Sequence, residues 1–173
     1  MTSFVPASIV FMGVAGCGKS SLGVAVARKL GRVWVEGDDF HSSHNRRKMA
    51  AGHPLDDGDR ASWLAALGEQ LRLHPGALVA CSALKHSYRE QLRSASPGLR
   101  FAFLDVSPEE ATRRVSARGS HFFHASLIDS QFATLQSPVG EPGVLRLDAT
   151  LPLEQLVNQV CDWLPANAAA TLR

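Results

Sequence analysis

The chain has 173 residues, enough for one domain with a sizeable core, and its 45% hydrophobic and 20% charged residues are an ordinary globular composition. A formal charge of +2, from 18 Lys and Arg against 16 Asp and Glu, gives no case for a nucleic-acid binder, and no run reaches the roughly 18 uncharged apolar residues of a membrane span. Three widely spaced cysteines, Cys17, Cys81 and Cys161, with no CxxC pair, argue against a disulfide framework or zinc site and suit a reducing cytoplasm.

The apolar run from Phe4 to Gly16 lacks a basic segment before it, so it reads as a core strand rather than a signal peptide. Within it Ser8 to Met12 is the first strand, carried by Ile9, Val10 and Phe11. Lys19 to Leu30 has a helical period, with Leu22, Val26 and Leu30 on one face and Gly31 as its stop. Val33 to Val35 is a second strand, followed by Glu36, Gly37, Asp38 and Asp39. His41 to His53 is polar, basic and expected to be helical, and Arg60 to Leu73 is a further helix with Trp63, Leu64, Leu67 and Leu71 apolar. Ala77 to Cys81 is a buried third strand, Tyr88 to Arg93 a helix, and Leu99 to Val106 a fourth strand. Pro108 to Arg118 opens with proline and two glutamates, a sound helix start. Signals are mixed from Gly119 to Gly143; Val144 to Leu147 is a fifth strand, Leu153 to Leu164 a last helix, and the tail after Pro165 is expected to fray.

Strand and helix alternate about five times, which predicts a parallel α/β sheet covered on both faces. Residues 1–173 read as a single domain with two insertions, a substrate-holding segment at about 39–73 and a lid at about 119–137.

Gly13-Val14-Ala15-Gly16-Cys17-Gly18-Lys19-Ser20 matches G-x-x-x-x-G-K-[ST] in full, between a strand and a helix as the mechanism requires. Glycines let successive backbone N–H groups face one anion, and the helix start adds unpaired donors and a positive dipole end. Lys19 is expected to reach the β- and γ-phosphates, and the Ser20 hydroxyl to ligate Mg2+; Ser21 follows on the same helix turn. The pattern predicts nucleotide binding without fixing the chemistry that follows; no N-K-x-D guanine signature supports a regulatory GTPase, and the chain as a whole reads as an ATP-Mg phosphotransferase. A nucleotide-binding switch without phosphotransfer is the alternative of another class.

Carboxylates after the second strand lie where an α/β sheet presents its ligand crevice. Asp38 is positioned to orient an acceptor hydroxyl and take its proton, and Glu36 to hold Mg2+ through water. Arg60, Lys85 and Arg89 together suggest a basic acceptor pocket, the last two four apart on one helical face. Such a pocket opposite a carboxylate suggests a small polyol acid, to which His41 and Gln131 are further expected donors. Arg114 and Arg118, also four apart, precede the lid and suit the nucleotide base and the transferring phosphate, whereas His121 and His124 read as parts of a closing loop.

The chain resembles the gluconokinases of the short P-loop type, relatives of shikimate kinase and the nucleoside-monophosphate kinases. The likeness rests on Met12-Gly13-Val14 with the phosphate loop, Glu36-Gly37-Asp38 with His41, Asp59-Arg60, Cys81-Ser82-Ala83-Leu84-Lys85 with Tyr88-Arg89, His121-Phe122-Phe123, and Gln131-Phe132 with Thr134-Leu135-Gln136. It implies the P-loop nucleoside triphosphate hydrolase fold in its monophosphate-kinase form, a three-layer sandwich around a five-stranded parallel sheet of order 2-3-1-4-5. It also implies transfer from ATP to the 6-hydroxyl of D-gluconate in a cytoplasmic homodimer, with shikimate or another sugar acid as the rival acceptor. By the same resemblance, Asp38 meets the acceptor hydroxyl, Arg60, Lys85 and Arg89 line the acceptor pocket, and Arg114 and Arg118 serve nucleotide and lid. Four positions depart from the family pattern: Glu36 for Asp, Cys17 for Ser, and Gly119-Ser120 for Lys-Gly.

Overall fold

The structure is a computed structural model, and it describes residues 5–119 and 124–165. Five parallel strands form one sheet: β1 (Ile9–Met12), β2 (Trp34–Glu36), β3 (Leu78–Ala80), β4 (Arg100–Asp105) and β5 (Val144–Asp148). Their order is β2-β3-β1-β4-β5, as the family resemblance implies. Seven helices are described: α1 (Lys19–Leu30), α2 (Ser43–Ala50), α3 (Asp57–Leu73), α4 (His86–Ala95), α5 (Pro108–Ala117), α6 (Ala125–Thr134) and α7 (Leu153–Trp163).

The uninterrupted apolar run of β1 follows from its central place, because a strand covered on both faces has no polar side to show. Alternation then splits it between two cores. Ile9 and Phe11 pack with Leu22 and Val26 of α1 and Leu156, Val157 and Val160 of α7. Val10 and Met12 pack on the opposite face with Trp63, Leu64, Leu67 and Leu71 of α3 and Leu92 of α4. Full burial of a side chain such as Leu22 stabilises the fold by roughly 1.5–3 kcal/mol.

Several helix ends follow sequence signals. Ser107 caps α5, its hydroxyl accepting from Glu110 N, and Gly31 takes the left-handed conformation that stops α1. Others differ from expectation. Rather than one helix over His41–His53, the chain makes a 3-10 turn at Gly37–Phe40 and then the shorter α2, because Ser42 caps α2 by accepting from Asn45 N. Helix α3 starts at Asp57, three residues ahead of Arg60, where Asp56 and Asp59 form a reciprocal capping box. Residues 119–143, where signals are mixed, contain α6. The readings on Ser120 to Phe123, on Phe4 and on the tail after Pro165 lie outside the described residues. No described helix is long and apolar enough to cross a membrane.

β1 pairs with β3 on one side and β4 on the other, so the chain leaves the sheet in opposite directions around its end. That is the topological switch point, where open α/β sheets place their ligands. The phosphate loop, the turn after β2 and Ser82 after β3 converge there.

Candidate active site

The phosphate loop wraps between β1 and α1. Gly16 has φ 79°, and a Cβ there would lie 2.9 Å from the Ala111 carbonyl oxygen, so the loop passes α5 too closely for any other residue. Val14 and Cys17 turn their side chains into the core, which leaves the loop backbone to face outward. Lys19 Nζ donates to the Gly13 and Val14 carbonyls at 3.0 Å each. A cavity of about 460 Å³ opens over the loop, lined by Ala15, Gly16, Gly18, Lys19, Ser20 and Ser21, with Arg118 from the end of α5 and Asp38 opposite.

Arg114, one turn before Arg118, lies outside that lining. Its Nε donates to Glu110 Oε1 at 2.7 Å, Nη2 to the Ala149 carbonyl at 2.8 Å, and Nη1 approaches the Gly16 and Cys17 carbonyls at 3.5 and 3.4 Å. It braces the loop from behind.

A second cavity of about 300 Å³ adjoins the first. Its polar wall is Asp38, His41, Arg46, Arg60 and Ser82; Met49, Trp63 and Leu127 form apolar surface, and Gln131 and Ser130 on α6 cover it. Ala15, Lys19 and Asp38 line both cavities.

The turn that carries Asp38 is held tightly. A Cβ on Gly37 would sit 1.8 Å from the Ala80 carbonyl oxygen, so only glycine lets β2 end so near β3. Trp63 Nε1 donates to the Gly37 carbonyl at 2.8 Å, and the Trp63 ring stacks on His41 with centroids 4.3 Å apart. Arg46, four residues into the acceptor segment's helix, donates to the carbonyls of His41, Asp38 and Asp39. Asp38 itself projects into solvent, its side chain 84% exposed. Burial lowers the pKa of His41, so the ring is neutral near pH 7; its Nε2 lies 3.8 Å from Asp38 Oδ1.

Burial raises the pKa of Glu36 and so do Asp38 and Asp39, while a hydrogen bond with Ser20 and the charge of Lys19 pull it down. Carboxylate and hydroxyl oxygens gathered at the phosphate cavity in a negative local field are the hard donor set that Mg2+ takes alongside phosphate oxygens. No group of three or more His, Cys, Asp or Glu suited to a metal occurs among the described residues.

Arg60 is 8% exposed, lines the acceptor cavity, donates through Nη1 to the Leu55 carbonyl and lies over the Tyr88 ring at 5.7 Å. Lys85 and Arg89 do not join it there. Lys85 also lies over the Tyr88 ring, at 5.7 Å, but it is absent from the cavity lining and its Nζ is 2.8 Å from Asp57 Oδ1. Arg89 is a correction: it is fully buried, and its guanidinium is spent on Glu141 and the Ala83, Leu84 and Gln136 carbonyls. A side chain with all five donors committed has none for an acceptor. Arg46 and Met49 supply the wall instead. The basic His41–His53 run signals an arginine there, but adjacent Arg46 and Arg47 look alike in sequence and only Arg46 turns inward to the cavity.

A parallel sheet with a phosphate loop at its switch point, and a basic second cavity meeting it at one lysine and one aspartate, defines a P-loop kinase acting on a small molecule. The AAA domain family matches residues 9–122. The chain is 42% identical over 161 residues to a gluconokinase of Gluconobacter oxydans, covering 88% of this chain and 90% of that one. It is similar to the crystal structure of a gluconokinase from Sinorhizobium meliloti, with TM-score 0.83 and 45% identity over 91% of this chain and 90% of the other. An unliganded sugar kinase from Janibacter sp. superposes with TM-score 0.88 at 36% identity, covering 95% and 99%. The chain belongs to the gluconokinase family.

Proposed function

We propose that the protein transfers the γ-phosphoryl group of ATP to the 6-hydroxyl of D-gluconate, yielding 6-phospho-D-gluconate and ADP. The observation that carries this reading is that the two cavities meet at Ala15, Lys19 and Asp38. A triphosphate over the loop and a polyol beside α3 would put donor and acceptor in contact there and nowhere else along the cavities.

Each residue then has a task. Loop amides and Lys19 hold the phosphates, and Arg118 offsets charge on the transferring group from the α5 side. Asp38 orients the acceptor hydroxyl and accepts its proton as the new O–P bond forms and the bond to the ADP oxygen breaks. His41, neutral and stacked on Trp63, is a hydrogen-bond partner for a hydroxyl rather than an ion-pair partner for a carboxylate. The carboxylate falls to Arg60, which lines the cavity, and Trp63, Met49 and Leu127 cover the carbon chain. Ser20 and Glu36 would hold Mg2+, which neutralises phosphate charge when bound. Residues at about 39–73 serve as the acceptor segment and those at about 119–137 as the lid.

Family membership also supports a cytoplasmic homodimer whose product enters sugar-acid breakdown by the pentose phosphate or Entner–Doudoroff routes. Sedimentation of the purified chain tests the dimer.

The deciding experiment is a coupled assay with ATP-Mg and D-gluconate, run beside shikimate and other aldonic acids, with the phosphorylated position identified. Gluconate-dependent ADP release with phosphate on O6 is expected. ADP release indifferent to every acceptor defeats the proposal.

A further inference from the structure

Helix α6 covers the acceptor cavity and touches the phosphate loop through one side chain. The backbone N–H of Ala15 donates to Gln131 Oε1 at 2.7 Å, linking residues 116 apart in sequence. The same helix is tied at its other end to the acceptor segment, where His124 Nε2 donates to the Ala50 carbonyl at 2.8 Å. Thus α6 spans from the segment that holds the acceptor to the loop that holds the donor.

The position of this contact gives it chemical meaning. Ala15 lines both cavities, so its N–H faces the place where a phosphoryl group passes from one to the other. Phosphate oxygens accept hydrogen bonds only, whereas a carboxamide carries an acceptor and two donors on one pivot. A phosphate oxygen that takes the Ala15 N–H must displace Gln131 Oε1. Rotation about the terminal side-chain torsion, which is soft, then turns Nε2 towards that oxygen. Nε2 has no hydrogen-bond partner among the described residues, so the rotation breaks no other hydrogen bond among them.

Resting on the phosphotransfer reading above, we infer that Gln131 is a catalytic residue that contacts the terminal phosphoryl group of the donor. Its Nε2 donates to an oxygen of that group during transfer, and its Oε1 covers the Ala15 N–H otherwise. Helix α6 therefore distinguishes a triphosphate from a diphosphate through this one contact. The donor hydrogen bond also stabilises charge on the transferring group.

The test compares the full-length wild type with Gln131→Glu and Gln131→Leu. Calorimetry with Mg2+ measures binding of ADP and of the non-hydrolysable β,γ-imido analogue of ATP, and turnover is measured with ATP and D-gluconate. A fixed carboxylate against the third phosphate is expected to weaken the analogue by roughly 100-fold in Gln131→Glu, while ADP changes by less than about 3-fold. Gln131→Leu is expected to lose about 100-fold in kcat, the cost of one oxyanion donor, with ADP binding kept. Equal weakening of ADP and analogue, or full turnover in Gln131→Leu, overturns the assignment. If the wild type transfers nothing to gluconate, the substrate reading fails, and the ADP-against-analogue comparison still decides the phosphoryl contact.

Discussion

Replacing Arg89 by methionine separates two roles for the most deeply buried cation among the described residues. Its guanidinium joins three segments: the Ala83–Leu84 bend after β3, the Gln136 carbonyl after α6, and Glu141, at 2.6 Å from Nη2. Methionine fills much of the volume but withdraws the donors of one carboxylate and three carbonyls, of which the Leu84 oxygen keeps the Gln136 N–H at 2.8 Å. Breaking a buried pair from one side costs about 3–5 kcal/mol, and the lower end applies because Glu141 keeps 14% exposure and the help of Arg93 and His86. At roughly 2.1 cal/mol/K per residue, 173 residues unfold with an entropy of about 0.36 kcal/mol/K, so a loss of about 3 kcal/mol lowers Tm by about 8 °C. Burial works to raise the pKa of Glu141, but hydrogen bonds from Arg89, His86 and Arg93 outweigh it and hold the carboxyl at about 2 against an ordinary 4.5. A carboxylate depressed in the folded state stabilises it above pH 4.5, and that contribution disappears as pH falls towards 2. Thermal melts of both proteins from pH 7 downward should therefore show a gap that is widest above pH 4.5 and narrows below it. Equal melting temperatures at pH 7 with a large rise in KM for gluconate would refute the clamp and return Arg89 to the acceptor pocket.

Arg60→Met should raise KM for gluconate by roughly 10- to 100-fold, the worth of a charge-assisted hydrogen bond, with KM for ATP within about 2-fold in the same coupled assay. Asp38→Asn should lower kcat by about 10²- to 10⁴-fold without changing Tm, because the side chain is 84% exposed. Gly37→Ala should destabilise by about 1–3 kcal/mol in denaturant melts, since the new methyl meets the Ala80 carbonyl and β2 must move away from β3.

The strands and the phosphate loop are legible because each is a local pattern: four consecutive residues of β1 are fully buried, and the loop needs its glycines within eight positions. The acceptor pocket is less so, for a geometric reason. Spacing of four between Lys85 and Arg89 says that they share a helical face, not which way the face looks. Arg89 looks inward because Glu141, 52 residues on, arrives to meet it, and Lys85 is turned aside by Asp57, 28 residues back. Arg46 escapes notice for the opposite reason. Its partners are the carbonyls of Asp38, Asp39 and His41, and a carbonyl leaves no mark in a sequence.

Those backbone partners bear on how the site recognises charge. Four donors at the cavities are held by neutral protein oxygens: Lys19 by the Gly13 and Val14 carbonyls, Arg46 by three carbonyls, Arg60 by the Leu55 carbonyl, and the Ala15 N–H by a carboxamide. No carboxylate neutralises any of these donors, although Asp38 and Glu36 stand nearby. A hydrogen bond to an ionised acceptor is roughly twice as strong as one to a neutral oxygen. An arriving phosphate or aldonate therefore wins each donor on charge, while a neutral sugar or water only exchanges one neutral acceptor for another. The contrast with Arg89 and Arg114 is direct, since both spend their charge on a glutamate and serve the fold. Cations held by carbonyls face the substrates, and cations held by carboxylates hold the walls.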